Sequence, residues 1–212
     1  MSPWHGVDYR FHRMLGNSTG AADTLAQSLL DVYRSDGEDG LGRRGAVALL
    51  KEMLEPLGIT YDLHVEVTAA EGTDVLPEPT RVGDRLYLPF FGVTGEERRL
   101  TLQARMIPDA SPQVVLGPGR ARALSSGEQV LLRFATQAIG SLRQGSMFLL
   151  DEPETHLHPH YVSLLMSMLD RLLELSGSIA LIATHSAYIV REVPARRVRI
   201  VRRDRDGNVA ID

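Results

Sequence analysis

Cysteine is absent from the 212 residues, which removes disulfides, thiolate metal sites and cysteine nucleophiles from consideration. Lysine is nearly absent as well. Lys51 is the single lysine among 23 basic residues, and all the others are arginine. It sits in Ala46-Val-Ala-Leu-Leu-Lys-Glu-Met-Leu54, apolar at helical spacing and with no glycine-rich loop before it. A G-x-x-x-x-G-K-[ST] phosphate loop, which holds phosphates with backbone N–H groups and a lysine, is therefore excluded. The nearest imitation, Gly37-Glu-Asp-Gly-Leu-Gly-Arg-Arg44, has arginines in place of the lysine and hydroxyl and follows a helical pattern rather than a strand. The chain also lacks a signal peptide and any apolar run long enough to span a bilayer, so the expectation is a cytoplasmic protein with no membrane partner. Strong charge of one sign is missing too: a net charge of −4 gives no overall attraction to nucleic acid or membrane.

What is present is ordinary for a soluble globular domain, with 43% hydrophobic and 24% charged residues. The length suits one sizeable domain or a large part of one. No strand pattern opens the chain; Trp4, Tyr9 and Phe11 are scattered among polar residues up to Gly20. Apolar spacing predicts helices over 21–33 and 46–57 and a strand over 59–67, with Tyr61, Leu63, Val65 and Val67 on one side. Segments 81–91 and 98–106 read as strands joined through 92–96 in a hairpin. Residues 1–114 are thus a small α+β region with antiparallel pairing, and 107–122 is a proline- and glycine-marked connector. His5, His12 and His64 have no neighbours at metal spacing and read as surface or satisfied histidines.

From about 115 to 212 the pattern becomes α/β. A strong helix follows Leu124-Ser-Ser-Gly-Glu-Gln129, then a strand at 146–151, a helix over 161–175, a strand at 178–183, a short helix, a strand at 198–201 and a hairpin at Asp206-Gly207. Alternating helices and apolar strands predict a parallel sheet with crossover helices. The continuous apolar run Met147-Phe-Leu-Leu150, closed by Asp151, Glu152 and Pro153, reads as a strand buried on both faces.

Three features of this half carry chemistry. Ser125, Ser126, Gly127 and Glu128 open a helix, where free N–H groups and the helix dipole receive phosphate oxygens; the same residues also make a plain capping box. Asp151 and Glu152 lie at the carboxyl end of a strand, where α/β folds bind ligands. Asp151 suits Mg²⁺ held through water, and Glu152 suits a base that orients an attacking water. His185, in Thr184-His-Ser186, ends the next strand and can reach a γ-phosphate near Glu152. A rival reading sets His156, His158 and His160 with Glu154 around Zn²⁺. Pro153 and Pro159 make that stretch a turn entering a helix, which spoils the alignment such a site needs. The arginines at 191–205 suit nucleic acid, or a solvated strand balanced by Asp204 and Asp206.

In this order and spacing the three features resemble the ABC-type ATPase superfamily: signature motif (Ser125, Gly127), Walker B (Asp151, Glu152), D-loop (Thr155, His156, His158) and switch histidine (His185). The Asp-Glu-Pro-Glu-x-His-Leu-His-Pro string is similar to soluble members, the RecF/SMC-like, OLD-like and "AAA-type, ABC-like" ATPases of DNA maintenance and phage defence. His158 stands where transporter D-loops carry aspartate. The resemblance covers about 115–203 and implies an incomplete P-loop ATPase head whose Walker A half is missing from this sequence. It further implies ATP and Mg²⁺ as ligands, with Ser125, Ser126, Gly127 and Glu128 completing a partner's site in trans. The partner implied is either a second head in a head-to-head homodimer or a Walker A-bearing chain, with a nuclease or DNA beyond it. The alternative is a non-catalytic head that docks to a partner ATPase and supplies only its signature face.

Overall fold

A computed structural model describes residues 24–35, 45–70, 75–203 and 209–211. The Gly37–Arg44 imitation of a phosphate loop, His5, His12 and the Asp206-Gly207 turn lie outside these residues.

Helix α1 (Leu25–Ser35) begins where the Thr24 hydroxyl accepts from the Gln27 N–H at 3.1 Å. Helix α2 (Ala46–Leu54) runs into a single 3₁₀ turn closed by Gly58 in the left-handed conformation. An antiparallel sheet follows, built from β1 (Leu63–Val67), β2 (Thr80–Val82), β3 (Arg85–Pro89), β4 (Gln113–Gly117) and β5 (Arg120–Ala123), in the order β2-β3-β1-β4-β5. β1 buries Leu63, Val65 and Val67, as period-two alternation requires. Tyr61 does not share that face; it is 76% exposed, in the turn before the strand, with the Lys51 ammonium 4.8 Å from its ring centroid.

Two sequence expectations fail here. The 98–106 segment is not a strand but part of helix α3 (Glu96–Arg105). Leu100 and Leu102 imitate strand alternation, yet Leu102 is buried and Leu100 is 57% exposed. Glu96 and Glu97 in the first turn and Arg105 in the last match the helix dipole, and Leu, Gln, Arg and Ala are good helix formers. The 107–122 connector, in turn, contains the β4–β5 hairpin, so the residue 114/115 division falls inside β4.

Helix α4 (Ser126–Ser141) is the central element. It packs against α1, α2 and α5 (Pro159–Ser176), with Leu131, Leu132, Ala135 and Ile139 almost wholly buried. A single hydrophobic cluster runs from α1 and α2 through the antiparallel sheet to α4 and α5. β6 (Met147–Asp151) and β7 (Ile179–Ala183) pair in parallel, with α5 as the crossover between them. Helix α6 (Ala187–Glu192) and an antiparallel pair, β8 (Val201–Arg203) and β9 (Val209–Ile211), complete the described chain.

The expectation that the 146–151 strand is buried on both faces is overturned. Phe148, Leu150, Ala180 and Ile182 pack on the core, whereas Met147, Leu149, Ile179 and Leu181 are 56–64% exposed. Helices cover one face of the β6–β7 sheet and nothing among the described residues covers the other. No described helix is long and apolar enough to cross a membrane.

Candidate active site

Parallel pairing in register, with Asp151 beside Ala183, brings the carboxyl ends of β6 and β7 level. The Glu152 N–H donates to the Ala183 carbonyl at 2.8 Å, extending the ladder by one bond beyond the strands. The chain then turns sharply. Glu152 has φ +42° and His156 has φ +68°, left-handed values that residues with a β-carbon adopt at a cost of about 1–2 kcal/mol. The Thr155 N–H closes the turn onto the Glu152 carbonyl at 3.0 Å. Backbone strain of this kind at an exposed acidic residue marks a position held for its side chain.

That side chain meets His185. Glu152 Oε1 and His185 Nδ1 are 3.0 Å apart, and both side chains are solvent-accessible. A carboxylate offers only acceptors, so in this contact Nδ1 carries the proton and donates to Glu152. Asp151 is exposed at the strand end, with no ion pair among the described residues. A carboxylate there, open to water, fits the oxygen-only and mostly hydrated coordination that Mg²⁺ demands.

The turn continues into α5. His158 is its N-cap, its Nδ1 accepting from the His160 N–H at 3.4 Å, and Pro159 fills the first helical position. Thr155 is half-buried, and His156 and His160 are exposed. Among the described residues no group of three or more His, Asp or Glu side chains is arranged to hold a metal ion, so the zinc reading of these histidines gains no support.

The opening of α4 is a complete capping box. Ser125 Oγ accepts from the Glu128 N–H at 3.3 Å, and Glu128 Oε2 accepts from the Ser125 N–H at 2.7 Å. Glu128 is 6% exposed, and both its oxygens are also held by Arg122 at 2.8 and 2.9 Å. The Arg122 guanidinium, with the Ser125 N–H, holds the Glu128 carboxyl below its ordinary range despite burial. Its charge is thereby committed to fixing the helix start. Ser125 and Ser126 are exposed and remain open to a ligand.

Gly127 lies against another side chain: a β-carbon there would lie 2.4 Å from two ring carbons of Tyr161, on the first turn of α5. The Tyr161 hydroxyl is 3.3 Å from Ser125 Oγ. Tyr161 thus ties the start of α4 to the start of α5, a link between two motifs 36 residues apart. Tyr161 meets a residue 36 positions away and Arg122 one six positions on, and no motif marks either pairing. Only the Ser125–Glu128 spacing was a local signal.

The profile of the family described as "AAA domain, putative AbiEii toxin, Type IV TA system" matches residues 116–191, the span holding all of these residues. Protein ea59 of Escherichia phage lambda is 37% identical over 84 residues, which is 40% of this chain and 16% of that protein. UvrABC system protein A of Mycoplasmopsis pulmonis is 32% identical over 68 residues, 32% of this chain and 7% of that one. The chain therefore spans a small part of the curated relatives it matches. Over these stretches the chain is similar to the AAA domain family and to the UvrABC component.

Proposed function

We propose that this chain supplies the Walker B, switch-histidine and signature surfaces of a soluble ABC-type ATPase head, and that it hydrolyses ATP once a phosphate-loop-bearing half is joined to it. The observation that carries the reading is the 3.0 Å contact between Glu152 and His185 at the level ends of two parallel strands. Asp151 would hold Mg²⁺ through water, and the ion supplies neutralisation of phosphate charge. Glu152 orients the attacking water and accepts its proton, and His185, oriented by Glu152, lies beside the transferred phosphoryl group. Ser125, Ser126 and the N–H groups near Gly127 face the γ-phosphate of a partner head across a head-to-head interface. Thr155, His156 and His158 form the D-loop that lines that interface.

Among the described residues one face of the β6–β7 sheet is uncovered, which supports the reading that another half joins it. Parallel sheets are found with both faces covered, and Met147, Leu149, Ile179 and Leu181 form an apolar face of the kind a crossover helix covers. We place the phosphate-loop half there. DNA maintenance or phage defence, with a nuclease or DNA as further partner, is the setting implied by the resemblance to soluble relatives.

The test is hydrolysis by the chain assembled with a phosphate-loop-bearing partner. Glu152→Gln should leave ATP binding intact, lower turnover by about 10²–10⁴-fold and trap the head dimer. Unchanged steady-state hydrolysis in that variant would overturn the base assignment. A wild-type assembly in which only the partner's site turns over would favour a head that lends its signature face alone.

A further inference from the structure

We infer that Glu154 and Thr184 are the positioning pair of this site, a buried carboxylate and a hydroxyl that hold the His185 loop against the Glu152 turn. The inference rests on the ATPase reading for its functional consequence but not for its geometry. Glu154 follows the two exposed acids by two residues and differs from them in every physical respect. It is only 9% exposed, and its Oε1 accepts from the Thr184 hydroxyl across the ends of β6 and β7. Its Oε2 is buried and makes no hydrogen bond. Among the described residues, Thr184 is thus the donor that keeps this carboxylate inside. A buried acceptor without a donor is rare, and a carboxylate is costly to bury without donors to its oxygens.

The Thr184 hydroxyl is used twice. It donates to Glu154 and accepts from the Ser186 N–H at 2.9 Å. Ser186 in turn caps α6, its hydroxyl accepting from the Tyr188 N–H at 3.2 Å. His185 lies between these two anchored residues and makes its own contact, at 3.0 Å, with Glu152. The imidazole is therefore held from behind by Glu154 through Thr184 and met in front by Glu152. Among the described residues the side-chain hydrogen bonds of Glu154 and Thr184 go to each other and to the Ser186 N–H, so each acts on His185 and Glu152 by placing them.

Valine has the shape of threonine without the hydroxyl. In Thr184→Val Glu154 Oε1 loses its donor, so that neither oxygen has one, the carboxylate leaves its pocket, and the Ser186 N–H loses its acceptor. The experiment is nitrogen-detected NMR of the histidine rings in the full chain, which needs no nucleotide. Wild-type His185 should carry its neutral-state proton on Nδ1, facing Glu152. Thr184→Val and Glu154→Ala should shift it toward Nε2–H, the commoner form in water, and Thr184→Ser should restore Nδ1–H. In the assembled ATPase, Thr184→Val should lower kcat by about 10–100-fold, with KM within about twofold. A folded Thr184→Val chain with an unchanged His185 tautomer overturns the pair; if that variant does not fold, Glu154→Ala decides by the same readout. A tautomer that moves while the wild-type assembly hydrolyses no ATP keeps the pair and discards the ATPase reading.

Discussion

Gly127 has an ordinary helical backbone, and its lack of a side chain serves the face of Tyr161. A methyl group there would lie 2.4 Å from Cδ2 and Cε2 and 2.9 Å from Cγ of that ring. Gly127→Ala should therefore destabilise the chain by about 1–3 kcal/mol, the usual range for overpacking, in spite of alanine's better helix propensity. Combining it with Tyr161→Ala removes the clash, so the double variant should lose less than the sum of the two single losses. Denaturant unfolding of the four proteins checks this, and strict additivity would show that the ring yields freely. At this scale the sequence was legible wherever a residue type alone carries the chemistry: Asp151, Glu152 and His185 were named from spacing, and they converge. Glu154, Thr184 and Tyr161 were not legible, because a buried carboxylate and a solvated one are written with the same letter.

The start of α4 is the element whose stability depends most plainly on charge. Glu128 caps the helix and is gripped by Arg122 on both oxygens, which lowers its pKa from the ordinary value of 4.5. A carboxyl whose folded value is depressed contributes stability that is fully present above its unfolded value and is lost as pH falls through the folded one. Glu128→Gln should thus cost about 1–2 kcal/mol at pH 7, with Arg122 half-exposed and able to rehydrate. The gap between wild type and variant should narrow as pH falls below about 4.5. Urea unfolding at pH 7 and pH 3 measures it, and a gap independent of pH would remove Glu128 as the titrating group. This element was readable in advance because a capping box is local. Helix α3 was not, because over ten residues two leucines two apart fit a strand as well as a helix, and only the burial of Leu102 against exposed Leu100 decides between them.

The described residues join a well-covered antiparallel sheet and helical core to a parallel strand pair with one face uncovered among them. The prediction at this scale concerns that uncovered face. Leu149→Lys with Leu181→Glu places charges at sites that are 64% and 61% exposed, so the chain should keep its melting temperature within a few degrees. The same pair should abolish assembly with a phosphate-loop-bearing half, measured by co-elution and by loss of ATP hydrolysis. Undiminished assembly would move the docking surface elsewhere. Calorimetry of Mg-ATP with the unassembled chain should show no binding at micromolar concentrations, because the loop lysine and glycine N–H groups supply most contacts to the β- and γ-phosphates. Micromolar affinity would remove the need for a second half.

The sequence by itself determined the chemistry-bearing letters and their order: a capped helix start, an acidic strand end, and a histidine one crossover later. Those follow from local rules, since caps, apolar runs and proline stops act within a few residues of themselves. Only the tertiary structure decided which contacts are made across the fold. It set the level ends of β6 and β7 that bring Glu152 to His185, the burial of Glu154 beneath Thr184, and the ring of Tyr161 on Gly127. It also decided that one apolar face of β6–β7 is open among the described residues. A run of apolar residues records that a strand is to be buried, and not which segment does the burying.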